Sequence, residues 1–420
     1  MEKKDPDRSH LQNTTLKRRG FLEVVAGLGG FTLSASPLKG GAADIVDSRS
    51  DFGEYDRTDQ GAHPTSGRAE GCSDRAENWK STSGRPPRKV IVGTVMQPFW
   101  GQYPGLEKRL EQLTKIVDRL QAQSQKQYGR GLDLAVLPEI AITGEGESVG
   151  DVVEWSYPLE GPVQDTFSRK AGQYRCYIIA PLYLLEDTAT KRCSNAAVLF
   201  GRRGEVVGIY RKVHLVVNLD TGSMEHGCTP GEEEPVFECD FGKLGIQICW
   251  DMDFNSGWKE LARKGAEIVA FPSQSPNTTW PVPRAIEGHC YIVSSTWRNN
   301  ASVFEPTGKI VSQVRWKPSM GSVESASDSL LEDNTLVQEI DLSYAILPWS
   351  QALKNGELFT KTFGDKAGFR YYEDEDHGIF WSNDPHMTIR EMVERVKLME
   401  EQELLRRDRE VYHKAGIPGY

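Results

Sequence analysis

The sequence predicts an α/β layered domain, on two observations. From Lys89 onward, runs rich in β-branched residues alternate with segments whose apolar residues recur at three and four positions. And 420 residues at 38% hydrophobic content suffice to bury one large core or two smaller ones. The elements follow in order. "KVIVGTVMQ" (Lys89 to Gln97) reads as a strand, and "GLEKRLEQLTKIVDRLQAQ" as an amphipathic helix carrying Leu106, Leu110, Leu113, Ile116, Val117 and Leu120 on one face. "LDLAVLPE" is a buried strand, "VQDTFSRKAGQY" a helix, and "CYIIAPLYLLE" and "SNAAVLFG" are strands. "VVGIYRKVHLV" and "LGIQICWD" add two strands, "WKELARKGA" a helix, and "EIVAFPS" and "CYIVSSTW" two more strands.

Upstream of Lys89 the chain reads differently. "LKRRGFLEVVAGLGGFTLSASP" sets Arg18 and Arg19 before Phe21, Leu22 and a short, weakly apolar run, and so resembles a twin-arginine export signal. That run, Val24 to Ala35, is too short for a membrane span of about 20 residues. The expectation is a signal segment over 1–43, cleaved near Gly41-Ala42-Ala43 or Ser34-Ala35-Ser36, on a protein exported to the periplasm or beyond, and tethered if cleavage fails. Residues 44–88 are Gly, Ser, Asp, Arg and Pro with few large apolar residues, and read as a linker.

A formal charge of -10 argues against a nucleic-acid partner or an anionic membrane surface, either of which calls for a basic patch. Small molecules are the expected partners. The seven cysteines show no CxxC and no regular spacing, which makes a poor disulfide framework. His226, Cys228 and Cys239 could be combined as metal ligands but lack the close pairing such sites use, and no metal or cofactor is expected.

In α/β sheets, ligands collect beyond the carboxyl ends of strands. Three residues stand at such exits: Glu139 closing "LDLAVLPE", Lys212 in "YRKVHL" and Cys249 closing "LGIQIC". Singly each is ordinary, since a cysteine in an apolar run is usually core, a lysine beside Arg211 and His214 usually solvated, and a Pro-Glu pair usually a turn. Together they are the parts of acyl transfer through a thioester: a nucleophile, a base that later activates water, and a cation that holds an oxyanion.

The stretches "LPEIAITG", "YRKVHL" and "GIQICWDMDF", in this order, resemble the Glu, Lys and Cys motifs of the nitrilase superfamily of carbon-nitrogen hydrolases. The flanking "SNAAVLFGRRGEVVGIYRKVHL", "CTPGEEEPVFECDFGKLGIQICWD" and "GAEIVAFPS" are similar to that family's segments as well, so the resemblance spans about Lys89 to Ser343. It implies a four-layer αββα sandwich over 89–345, with Cys249 as nucleophile, Glu139 as general base, Lys212 as stabiliser of the tetrahedral intermediate and the Trp250 backbone N–H completing the oxyanion site. Glu225 in "MEHGCTPG" matches a second family glutamate, which would orient Lys212 and substrate. Asp251 is expected to cap the segment after it, and Arg284 and Glu287 to be structural. The family commonly forms homo-oligomers.

The expected activity is hydrolysis of a small amide or N-carbamoyl compound, with nitrile hydrolysis as the alternative. Further alternatives are an N-acyltransferase and a non-catalytic binding protein on the same fold. Asp253 stands where many amidase branches carry an arginine and would disfavour anionic substrates if it faced the pocket. "GESVG" (Gly146 to Gly150) matches the serine-hydrolase elbow around Ser148 but lacks a strand running directly into it. Residues 346–420 read as a C-terminal extension that wraps the domain or a neighbouring subunit. Its terminal amphipathic helix carries Ile389, Met392, Val393 and Val396.

Overall fold

The computed structural model describes residues 81–100, 102–144, 152–320, 330–348 and 356–417. The twin-arginine segment, most of the expected linker and the "GESVG" stretch lie outside the described residues.

Strands β1 (Lys89–Val95), β2 (Leu134–Val136), β3 (Tyr177–Asp187), β4 (Arg192–Phe200) and β5 (Val206–Arg211) build most of one sheet. A second sheet takes β6 (Val236–Cys239), β7 (Gly242–Ile246), β8 (Ile268–Ser273), β9 (Tyr291–Thr296), β10 (Asn300–Phe304) and β11 (Ile310–Arg315). β12 (Thr335–Asp341) then returns to edge the first sheet against β1. The strand orders are β12-β1-β2-β3-β4-β5 and β11-β10-β9-β8-β7-β6. Each sheet places a parallel trio, β1-β2-β3 or β7-β8-β9, between antiparallel neighbours.

Strand alternation sorts the apolar residues into layers. Val90 and Val92 of β1 and Ile268 and Ala270 of β8 meet in the core between the sheets. The intervening Ile91 faces α1 (Leu106–Tyr128) and α2 (Pro162–Tyr174), whose Leu113, Ile116, Val117, Leu120 and Phe167 cover the first sheet. Val269 and Phe271 face the opposite side, under α3 (Asn255–Arg263) and α4 (Pro281–Gly288), where Trp258, Leu261 and Ala285 pack. The result is the expected αββα sandwich. The sheets touch at the end of β1, where Thr94 donates to the Ser294 carbonyl at 2.6 Å and Ser295 to the Val95 carbonyl at 3.0 Å.

Several expectations change. The last residues of the expected linker are fixed: Arg88 grips Glu267 through two hydrogen bonds of 2.7 and 3.1 Å, and Ser81 donates to Glu400 at 2.8 Å. The strand expected to run to Val216 stops at Arg211, after a last rung in which the Lys212 N–H donates to the Asn195 carbonyl of β4 at 2.8 Å. The expected division at 345 falls inside β13 (Tyr344–Pro348), which joins β14 (Ala367–Tyr372) and β15 (His377–Ser382) in a small antiparallel sheet of order β13-β15-β14. This sheet has its own core with α5 (Glu357–Phe363) and α6 (Ile389–Arg395), including Leu347, Phe359, Phe380, Ile389, Met392 and Val393. It is tied to the sandwich by Arg370, whose guanidinium meets the fully buried Glu305 at 2.6 Å. The expected terminal helix is two helices. A capping box at Thr388 and Glu391 starts α6, which buries the apolar stripe, whereas α7 (Glu401–Lys414) buries none of its residues.

Candidate active site

Three strand exits converge. β2 ends at Val136 and Glu139 follows in the next turn; Lys212 directly follows β5; Cys249 follows β7 by three residues. Lys212 Nζ lies 2.9 Å from Glu139 Oε1 and 3.0 Å from Glu225 Oε2, and all three side chains are nine-tenths buried or more. Burial alone would lower the Lys212 ammonium, but the two carboxylates override it and hold the group well above its usual value. Lys212 is therefore a fixed positive charge.

Glu139 is clamped from several sides. It accepts from Lys212, from Asn195 Nδ2 at 2.9 Å and from the Gln274 backbone N–H at 2.9 Å, while its own carbonyl accepts from the Trp297 indole at 2.9 Å. Asn195, wholly buried at the start of β4, also donates to Glu225 at 2.6 Å, so one amide ties both carboxylates together. Glu225 sits in left-handed backbone (φ 33°), as does His226 (φ 58°). The loop carrying it closes where the Gly231 N–H donates to the Lys212 carbonyl at 2.9 Å. A Cβ on Gly231 would lie 2.2 Å from the Arg211 carbonyl oxygen, so only glycine fits.

Cys249 completes the group. Its backbone is left-handed (φ 44°), a strained conformation for a side-chain-bearing residue and one that aims Sγ off the end of the strand. Burial pushes the thiol up to about 12, the Glu139 charge adds to this, and Lys212 and the Ser273 hydroxyl act in the opposite sense. The thiol is thus neutral at rest.

Asp251 makes that turn. Expected to cap the following segment, it instead reaches back: wholly buried, it accepts from the Ile248 N–H at 2.9 Å, the Tyr210 hydroxyl at 2.7 Å and the His214 N–H at 2.9 Å, and lies 2.9 Å from His214 Nδ1. No side chain caps α3. Arg284 supports the same turn by donating to the Met252 carbonyl at 3.1 Å, a structural role as expected; Glu287 is exposed. Trp250 lies at the lip, edge-on to Phe254, which stacks on His214 at 4.0 Å. Asp253 is exposed; desolvation raises its carboxyl above the usual value, with the Arg284 charge acting in the opposite sense. His226, Cys228 and Cys239 are not brought together as a ligand set: Cys228 neighbours Glu225 and Cys193, while Cys239 neighbours Asp240 and Arg202. The six described cysteines are free thiols.

This geometry coincides with a family match: residues 98–345 fit the carbon-nitrogen hydrolase model. The chain belongs to the carbon-nitrogen hydrolase family. Among its relatives, the deaminated glutathione amidase of Rattus norvegicus is 32% identical over 182 residues, 39% of this chain and 55% of that protein. The omega-amidase NIT3 of Saccharomyces cerevisiae is 29% identical over 167 residues, 35% of this chain and 57% of that protein. The chain thus spans little more than half the length of these curated relatives. In fold it is similar to the C. elegans NitFhit protein, with a TM-score of 0.50, 18% identity and 66% of each chain covered.

All four side chains expected from the sequence, Glu139, Lys212, Glu225 and Cys249, meet in one cluster. Asn195, Ser273 and the Asp251 anchor were missed. The signal for Asn195 was a polar residue directly ahead of the apolar run "AAVLF" in β4.

Proposed function

We propose that this protein hydrolyses a small amide or N-carbamoyl compound through a Cys249 thioester. The observation that supports it best is Cys249 set beside a buried carboxylate, Glu139, that is itself bonded to a buried ammonium, Lys212. In this reading Glu139 takes the thiol proton as Sγ attacks the carbonyl carbon. The oxyanion is held by Lys212, aided by the Trp250 N–H. The proton then passes to the leaving nitrogen, the C–N bond breaks and ammonia or an amine departs. Water, deprotonated by Glu139, attacks the thioester; the C–S bond breaks, the acid leaves and the thiol regains its proton. Glu225 orients Lys212 throughout. The names of the relatives, a deaminated glutathione amidase and an omega-amidase, support an amide over a nitrile.

A panel of amides, N-carbamoyl compounds and nitriles tests this, with ammonia release and the intact mass of the protein followed together, and the Cys249→Ala variant as control. The expected result is turnover of an amide or N-carbamoyl substrate with a transient acyl adduct on Cys249. Turnover of nitriles alone, acyl transfer to an added amine in preference to water, or no chemistry across the panel would overturn it.

We further propose export by the twin-arginine route, on Arg18 and Arg19. In a bacterial host, Arg18→Lys with Arg19→Lys is expected to retain the protein in the cytoplasm; unchanged export would refute the signal. A homo-oligomer is proposed from the exposed apolar side chains Val216, Val217, Met224 and Phe254 around the site. Analytical ultracentrifugation is expected to show a dimer or larger species, and a monomer at micromolar concentration would count against it.

A further inference from the structure

Glu234 is a buried acid that the proposed reaction does not use. It lies just before β6, with its carboxyl between Gln247, the second residue before Cys249, and the Gly257 backbone of α3. Gln247 Nε2 donates to Glu234 Oε2 and approaches Tyr210 Oη at 3.3 Å. Tyr210 in turn donates to Asp251 Oδ2 at 2.7 Å, and that same oxygen holds the Ile248 N–H beside Cys249. A continuous buried chain therefore runs from Glu234 through Gln247 and Tyr210 to the turn that sets the Cys249 backbone.

Two features of this chain point to a proton on Glu234. Gln247 Oε1 is buried without a hydrogen-bond partner, and it crowds the same point as Glu234 Oε1: a Cβ built on Gly257 would lie 2.4 Å from the carboxyl oxygen and 2.9 Å from the amide oxygen. A buried acceptor without a partner calls for a donor, and a neutral carboxyl in the same pocket supplies one. Second, the Tyr210 hydroxyl has a single proton and two acids within reach, Asp251 and Glu234. A neutral Glu234 leaves that proton to Asp251, whereas an ionised one competes for it and sets a second charge beside the first.

We infer that Glu234 is a positioning residue for Cys249: held as the neutral acid, it keeps the Tyr210 hydroxyl donated to Asp251 and so keeps the nucleophile turn closed. The role rests on the reading of Cys249 as the nucleophile. The groups facing Glu234 are Asp251, His214 and Tyr210 from the turn and the β5 exit, Gln247 from the β7 exit, and Lys264 after α3, whose ammonium binds the Glu234 carbonyl at 2.6 Å. Burial first, and then the Asp251 charge, push the Glu234 carboxyl up to about 7. Ionisation on the alkaline side of neutrality should therefore loosen the turn.

The test compares wild type, Glu234→Gln and Glu234→Ala from about pH 5 to about pH 9. One readout is kcat on whichever substrate the panel supplies. The other, which needs no substrate, is the rate of Cys249 carboxamidomethylation by iodoacetamide, resolved by peptide mass. Glutamine mimics the neutral acid, so Glu234→Gln is expected to match wild type within about twofold below neutrality and to diverge several-fold above it, where only wild type carries the new charge. Glu234→Ala should be impaired throughout. If Glu234→Gln followed wild type across the whole range, or were impaired equally at every pH, the inference would fail. Folding is read in parallel. A carboxyl raised in the folded state contributes stability that is lost as pH climbs from the ordinary carboxylate range to about 7. The stability difference between wild type and Glu234→Gln should accordingly change over that window and stay flat above it. Were the panel silent while alkylation and stability behaved as expected, the proposed reaction would fall and the proton on Glu234 would stand.

Discussion

Cys249→Ala is expected to abolish turnover, with a loss of about four orders of magnitude or more, because no other group in the site can form the acyl intermediate. Lys212 and the carboxylates bind and polarise, but cannot accept the acyl group under the proposed scheme. Alanine is the informative replacement here. It keeps a Cβ at the left-handed φ of 44° and leaves the Asp251 bonds that shape the turn untouched. Its melting temperature should therefore stay close to that of wild type, and its complex with an uncleaved amide should persist. Cys249→Ser separates two explanations for the loss. The thiol is already pushed up to about 12, and a hydroxyl in its place would be harder still to deprotonate, so serine should fail although it restores a nucleophile of nearly the same size. Calorimetric binding of a substrate amide by both variants, with no ammonia released, is the outcome that fits. Residual ammonia release above one hundredth of the wild-type rate, taken as roughly the reach of the remaining electrostatic groups, would move the nucleophile elsewhere.

The trio Glu139, Lys212 and Cys249 was legible in the sequence because each member sits where an apolar run stops. "LAVLPE", "GIYRK" and "GIQIC" all bring a reactive side chain to the end of a strand, and strand ends are where such sheets keep their ligands. Partnerships across the fold were not legible. Asp251, read locally, is an acid ahead of a helix and so a natural cap. Its true partners, Tyr210 and His214, stand 41 and 37 positions away. Asn195 was passed over for the same reason, since periodicity assigns it to a strand but says nothing of the two carboxylates it joins. The C-terminal sheet was missed because "AGFRYY" and "HGIFWS" mix glycine, charge and aromatics without clean alternation. What orders them is pairing with each other, the pairing of β15 with β13, and packing against Phe359 and Met392. The break between α6 and α7 carries neither proline nor glycine. The first helix ends once its apolar stripe is covered, and the second continues with no such stripe buried.

Lys212→Met should damage stability as well as activity, and the pH dependence of the damage identifies its cause. Methionine has nearly the volume of the lysine stem, so packing is conserved while the charge is removed. Glu139 and Glu225 are then left buried, bridged by Asn195 alone and facing each other as like charges. Removing one partner from a buried ion network costs roughly 3–5 kcal/mol, far more than an exposed pair would. In wild type the Lys212 value is raised, so its contribution is fully present below the usual lysine range and is lost only as pH climbs through the higher folded value. Between about pH 5 and about pH 8 it should be constant. In the variant the sign reverses: two unpaired buried carboxylates favour the protonated form, the folded state binds more protons than the unfolded one, and stability falls as pH rises. Denaturant unfolding at about pH 5 and about pH 8 should therefore show a much larger deficit at the higher pH. A deficit equal at both would mean that Lys212 acts through packing rather than charge. Activity should be lost by about a thousandfold or more even where the variant is folded, since the fixed charge proposed to meet the developing oxyanion is gone. Arginine should not rescue it, because its planar fork cannot fit the point that one ammonium shares between Glu139 and Glu225 at 2.9 and 3.0 Å.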